Sequence, residues 1–210
     1  VAGTTLILGL TQGNLNFLFF FVGLAILAPT ASLLLNIIVE FIFSKFPGLI
    51  PAELWAVKGG NVAQCAMLPL LSMQNPPEIV TVVPSYWLTV ISFFYGYLFV
   101  NAYTLYNKQA ESNAPQEKVD ARKSQAMMGM VTVIGLAIIT TIFRYMSSCE
   151  TGLGVLFSLG LGGSLAYGWY MFMLKCGLGR LDDLFGISNR ILPYQSLEDT
   201  DPTVCVPDSK

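Results

Sequence analysis

Three short groups of residues carry the side chains that could do chemistry. Arg144 and Glu150 stand six residues apart where two apolar stretches meet. Glu40 and Lys45 stand five apart near the end of another apolar stretch, and Pro84-Ser85-Tyr86-Trp87 opens a further one. A guanidinium or ammonium in such a place can hold a phosphate or a carboxylate. A carboxylate can move a proton or attack phosphorus. The sequence contains no histidine. That removes the commonest general base, the histidine nucleophile and the commonest metal ligand, and with them di-iron desaturase-type sites and Ser-His-Asp catalysis. Cys65, Cys149, Cys176 and Cys205 are too few and too scattered for a metal site or a disulfide framework. Neither a metal nor a cofactor is expected.

The elements that must position these groups are membrane helices. The 210 residues are 54% hydrophobic and 11% charged, with mean hydropathy +0.61, whereas soluble domains carry about 25% charged residues. The formal net charge of −2 gives no basic surface for nucleic acid. Val1 to Leu10 has no basic segment of the kind that opens a secretory signal. The first long apolar stretch, Leu15–Phe46, would be about 48 Å as one helix, against a hydrocarbon core of about 30 Å. One helix kinked at Pro29 is the favoured reading, and two short spans are the alternative. Pro47 and Pro51 end it, and a long loop runs to about Pro84. In that loop Val62–Met73 is apolar but too short to span, and reads as an interfacial or re-entrant piece.

Further spans are expected at Trp87–Tyr106, Ala126–Ile142 and Gly152–Leu174, the last two as an antiparallel hairpin around Arg144–Thr151. Tyr86, Trp87, Tyr103 and Tyr106 mark the two lipid–water interfaces of the second span. Gly154, Ser158 and Gly162 fall on one line of the fourth, and Gly160, Ser164 and Gly168 on another. Small residues every four positions let helices approach closely. The polar connection Lys108–Gln125 carries Lys108, Lys118, Arg122 and Lys123 and belongs on the cytoplasmic side by the positive-inside rule. Both termini then share that side, and the Pro47–Pro84 loop and the Arg144 turn share the other. The expected fold class is therefore an all-α polytopic bundle of about four spans over residues 1–175. A long outer loop and a polar extramembrane tail, residues 176–210, complete it.

Taken singly, the candidate residues have ordinary readings: Trp87 as an interface aromatic, Arg144 as a flanking anchor, Glu150 as a turn residue and Glu40 as a snorkelling carboxylate. Their order and placement are less ordinary. Arg144, the gap to Glu150-Thr151, Val155 and the spaced glycines beyond resemble the third signature of the type-2 phosphatidic-acid phosphatase superfamily, in its dolichyl-diphosphatase branch. That signature reads Arg, five residues, His-Thr. Leu35 to Gly48 resembles the first signature, with Glu40 at its lysine, Lys45 at an inner arginine and Pro47-Gly48 at its Arg-Pro. Pro84-Ser85-Tyr86-Trp87 stands where the second has Pro-Ser-Gly-His. The resemblance covers about residues 15–170, and the topology above puts all three motifs on one membrane face, as the family requires. It implies a phosphate site, and also that the site is damaged. Trp87 replaces the proton donor, Glu150 replaces the nucleophile, and two introduced carboxylates repel a phosphate.

The expected function is thus a non-catalytic structural or interaction protein of the membrane. The alternatives are a surviving lipid or isoprenoid-diphosphate phosphatase and a small channel or transporter with a polar stripe of Asn16, Asn36 and Glu40. Glu40 needs a partner within the span, and Arg144 is the expected one. The Gly13-Asn-Leu-Asn-Phe and Val83-Pro-Ser-Tyr-Trp stretches resemble membrane proteins of large DNA viruses. That resemblance implies an internal virion membrane, with the bilayer and other virion proteins as partners. In the tail, Leu184, Phe185, Ile191 and Leu192 fall at helical spacing ahead of an acidic end, and are expected to anchor it on another protein.

Overall fold

The computed structural model describes Ile7 and residues 15–46, 51–58, 79–108 and 116–175. Val62–Met73, the tail with Leu184, Phe185, Ile191 and Leu192, and the domain boundary at residue 176 lie outside the described residues. The architecture is an all-α bundle with four helices long and apolar enough to cross a membrane. It is joined by one short antiparallel ribbon in which β1 (Ala56–Lys58) pairs with β2 (Ile79–Thr81).

The first stretch is one helix, not two. It runs through α1 (Leu15–Val22), a π-helical turn (Gly23–Leu27) and α2 (Ala28–Lys45). The widened turn sits immediately before Pro29. A proline ring collides with the carbonyl four residues back and has no N–H to give. Widening the helix there to a five-residue hydrogen bond, Ala28 N–H to Gly23 carbonyl, passes the obstacle without breaking the span. The same turn lets the bundle close. A Cβ on Gly23 would lie 2.5 Å from the Phe93 ring and 2.9 Å from Trp169. One turn earlier, the Trp169 indole N–H donates to the Phe19 carbonyl at 3.1 Å.

After a short α3 (Ala52–Trp55) and the ribbon come α4 (Tyr86–Asn107), α5 (Gln116–Met146) and α6 (Gly152–Lys175). Gln116–Gln125 is not the connection expected from its polarity but the first turns of α5. Gln116 bonds Asp120 one turn on at 3.1 Å, and buried Arg122 donates to the Lys108 carbonyl that ends α4. A cation at a helix C-terminus satisfies an orphan carbonyl and favours the dipole. At the other end α5 runs on to Met146, so Arg144 lies in its last turn and the reversal itself is Ser147–Thr151.

The core lies where α1, the π turn, α4 and α6 meet: Phe20, Leu24, Ala28, Phe93, Tyr97, Ala166 and Tyr170 are all buried. Gly154, Ser158, Gly162 and Ala166 form the face of α6 turned to α4. At Gly162 a Cβ would meet the Thr89 carbonyl at 2.5 Å, and at Gly154 the Val82 carbonyl at 2.5 Å. Only glycine permits backbones this close. On the other line Gly160, Ser164 and Gly168 are exposed.

Candidate functional site

The α5–α6 reversal, the N-terminus of α4 and the start of α6 meet at one end of the bundle. The reversal is tight. Ser147 N–H bonds the Phe143 carbonyl at 3.0 Å, Cys149 N–H bonds the Arg144 carbonyl at 3.1 Å, and Ser148 takes φ +54° between them. This geometry turns the Glu150 side chain back over the last turn of α5. Thr151 then starts α6, its hydroxyl accepting from Gly154 N–H at 3.1 Å as an N-cap does.

Glu150 Oε1 is the centre of the cluster. Arg144 donates to it twice, from Nε at 3.1 Å and from a terminal nitrogen at 2.7 Å, and Ser85 Oγ–H donates at 2.6 Å. Oε2 is buried and has no hydrogen-bond partner among the described residues. Ser85 caps α4, its hydroxyl also accepting from Leu88 N–H at 3.4 Å. Its own backbone N–H donates to Ser158 Oγ on α6 at 2.8 Å. Asn36 reaches across from α2 and donates to the Pro84 carbonyl at 3.4 Å. The Arg144 guanidinium lies over the Trp87 ring, 4.5 Å from its centroid, within cation–π range. Arg144 is 8% exposed, Glu150 4% and Ser85 6%, so the group is closed to solvent.

Electrostatics pull in two directions. Burial pushes the Glu150 carboxyl above the usual carboxylate range, while the Ser85 hydroxyl and the Arg144 guanidinium act in the opposite direction. A serine donating to a carboxylate is the arrangement a general base would use. Here, however, the hydroxyl is buried at a helix cap, and among the described residues two guanidinium bonds go to one carboxylate oxygen. Through these bonds the cluster joins α4, α5 and α6.

Of the candidate positions, Pro84, Ser85, Trp87, Arg144 and Glu150 come together. Glu40 and Lys45 do not join them. Glu40 is exposed and makes no ion pair among the described residues. Lys45 is exposed too, with its ammonium 6.0 Å from the Phe41 ring centroid. The expected Glu40–Arg144 pair is therefore replaced by Arg144–Glu150 at 2.7 Å. The reason is proximity: the reversal delivers Glu150 to Arg144 without any approach of two helices, while the face of α2 turned inward carries Ser32, Asn36 and Val39. Ser158 and Asn36, read from sequence as a packing residue and a polar residue in a span, belong to the cluster.

A second correction concerns Cys149, which is disulfide-bonded, against the expectation drawn from cysteine number and spacing. Four cysteines are a small number, but one bond needs only two. Among the described residues no group of three or more Cys, Asp or Glu is arranged to hold a metal. No family model, curated protein or solved structure matches the chain.

Proposed function

We propose that the chain is a non-catalytic, multi-pass membrane protein in which a site resembling that of the lipid phosphatases has become a structural lock. The observation that carries this reading is the state of Arg144. The side chain that would meet a substrate phosphate is bonded to Glu150 at 2.7 Å, laid on Trp87 and buried. A phosphate would have to displace a carboxylate that arrives from the same turn, and would meet the negative charge of that carboxylate once there. The lock fixes the N-terminus of α4 to the α5–α6 hairpin and so holds the outer end of the bundle together.

Sidedness belongs to the same reading. The basic residues Lys118, Arg122 and Lys123 lie at one end of the bundle and the lock at the other. The oxidised Cys149 supports placing the lock on the side where disulfides persist, opposite the cytoplasm-derived side. The internal membrane of a large virus is the setting proposed for it, on the two sequence stretches that suggest one. Leu184, Phe185, Ile191 and Leu192 are proposed to attach the tail to another virion or membrane protein.

Hydrolysis of phosphatidic acid and of dolichyl diphosphate by the purified protein tests the central point. Wild type, Arg144→Ala and Glu150→Ala are expected to release phosphate at one common background rate. Turnover by wild type that Arg144→Ala abolishes would return the chain to the enzymes.

A further inference from the structure

The second half of the first span has two opposite faces, and among the described residues only one is used inside the chain. Ser32 is buried, and Asn36, Val39 and Phe43 are partly buried, all turned towards the bundle. On the other side Leu34, Ile37 and Phe41 are 58%, 62% and 63% exposed, and Ser44 is exposed in line with them. Their spacings of three, four and three residues are those of a coiled-coil seam, which buries positions a and d against a second helix. Assigning Leu34 and Phe41 to a, and Ile37 and Ser44 to d, places Glu40 at g and Lys45 at the following e.

Lipid alone accounts for the apolar part of this face, but not for its charges. An ionisable side chain in a membrane span almost always faces the bundle interior or pairs with another charge. Glu40 does neither among the described residues, and Arg144, its expected partner, is taken by Glu150. Five residues separate Glu40 from Lys45. In two parallel helices packed along an a/d seam, g of one helix faces the next e of the other, five positions on. Two copies of one chain inserted in one bilayer share a single orientation, so their α2 helices can only run parallel about a twofold axis along the membrane normal. Each Glu40 would then face the Lys45 of the second copy, twice over by symmetry. The Lys45 ammonium already lies towards this face, over the ring of Phe41.

We propose that the outer face of α2 is a self-association surface. It takes a second copy of this chain in parallel along Leu34, Ile37, Phe41 and Ser44, with two Glu40–Lys45 ion pairs between the copies. The surface commits one occupant because its charges complement each other across a twofold axis, and an unrelated helix would need them matched by accident. The proposal is independent of the phosphatase-like reading, since neither residue belongs to the lock.

The test is energy transfer between donor- and acceptor-labelled full-length copies in liposomes, followed as the protein-to-lipid ratio is lowered. Wild type should show transfer above the level of random proximity, persisting on dilution. Glu40→Lys and Lys45→Glu should each weaken self-association about tenfold or more, because each places like charges opposite one another. Mixed together, the two single variants should associate as wild type does, since their charges complement. A chain carrying both changes should also recover. Recovery in either case shows that the single variants are folded. Wild type that stays monomeric at every ratio would mean that lipid covers the face, and would overturn the proposal. So would single variants that associate as wild type, or a mixture that fails to recover while the doubly changed chain remains monomeric.

Discussion

α4 and α5 are neighbours, both long and apolar enough to cross a membrane, and are held in the bundle by different means. α4 is packed along its whole length, with Leu88, Thr89, Ser92, Phe93, Tyr97, Asn101 and Leu105 buried at successive turns. α5 buries only Val119, Arg122, Ala126 and Arg144, all near its two ends. Each end is fixed by an arginine: Arg122 on the Lys108 carbonyl and Arg144 on Glu150. Along the middle, Met127, Met128, Val131, Ile138, Ile139 and Ile142 are exposed, and the Tyr95–Thr140 hydroxyl contact is long, at 3.4 Å. An apolar cleft of about 250 Å³ separates Val133, Ile134 and Ala137 of α5 from Leu159 and Gly163 of α6. In water such an open span would be costly. In lipid the apolar middle has no hydrophobic reason to bury more than the one face it lays on α4, and the polar contacts at the ends fix its position.

The contrast can be broken most forcefully at the Arg144 pin. Removing one member of a buried ion pair strands the other, at a cost of about 3–5 kcal/mol. Arg144→Ala and Glu150→Ala should each show a loss of that order in reversible unfolding from detergent micelles. Replacing both with apolar residues of similar volume should cost much less.

Packing of α4 on α6 should be the next most sensitive feature. Gly162→Val places carbon where the Thr89 carbonyl already stands, and overpacking of this kind costs about 1–3 kcal/mol. Gly160, two residues away on the open face, has nothing within 4 Å of a Cβ. Gly160→Ala should therefore be neutral, or stabilising by a few tenths of a kcal/mol up to about 1. The pair of unfolding curves separates the two small-residue lines of α6.

Smaller effects are expected along α5. Arg122→Ala loses a helix-end contact worth up to about 2 kcal/mol, whereas Ile139→Ala in the exposed middle should stay within about 0.5 kcal/mol. Equal losses at the two positions would contradict the end-pinned picture.

The weakest signature is in pH. The folded-state pKa of Glu150 is raised by burial, so the folded protein holds this proton more tightly than the unfolded chain. Its contribution is therefore most favourable below the ordinary carboxylate pKa of 4.5. It is lost as pH rises from there through the folded pKa. Glu150→Gln should remove that part of the pH dependence.

Much of this was legible in the sequence. The four spans follow from the length of their apolar runs, and the irregular turn in the first helix from the single proline inside it. The α6 face follows from glycine and serine every four residues, but spacing alone could not say which of two lines faces α4. That choice was made by Val82 and Thr89, whose carbonyls approach only one of them. Polarity misplaced the start of α5, because Arg122 reads as a solvated loop cation until the end of α4 is known to need a donor. The Glu40–Arg144 pairing failed for a related reason. Arg144 was offered two carboxylates, and the chain reversal at Ser148, invisible in spacing, brought the nearer one to it.

The central claim, that Arg144 and Glu150 form a closed lock, is tested most directly by a double-mutant cycle on unfolding free energy. The cycle compares wild type, Arg144→Ala, Glu150→Ala and the double variant in one membrane-mimetic. Residues in direct contact in one network couple by about 0.5–3 kcal/mol, and a buried pair sharing one oxygen should lie in the upper half of that range. A coupling indistinguishable from zero, with the two single losses simply adding, would show that Arg144 and Glu150 act separately and that this end of the bundle is held by something else.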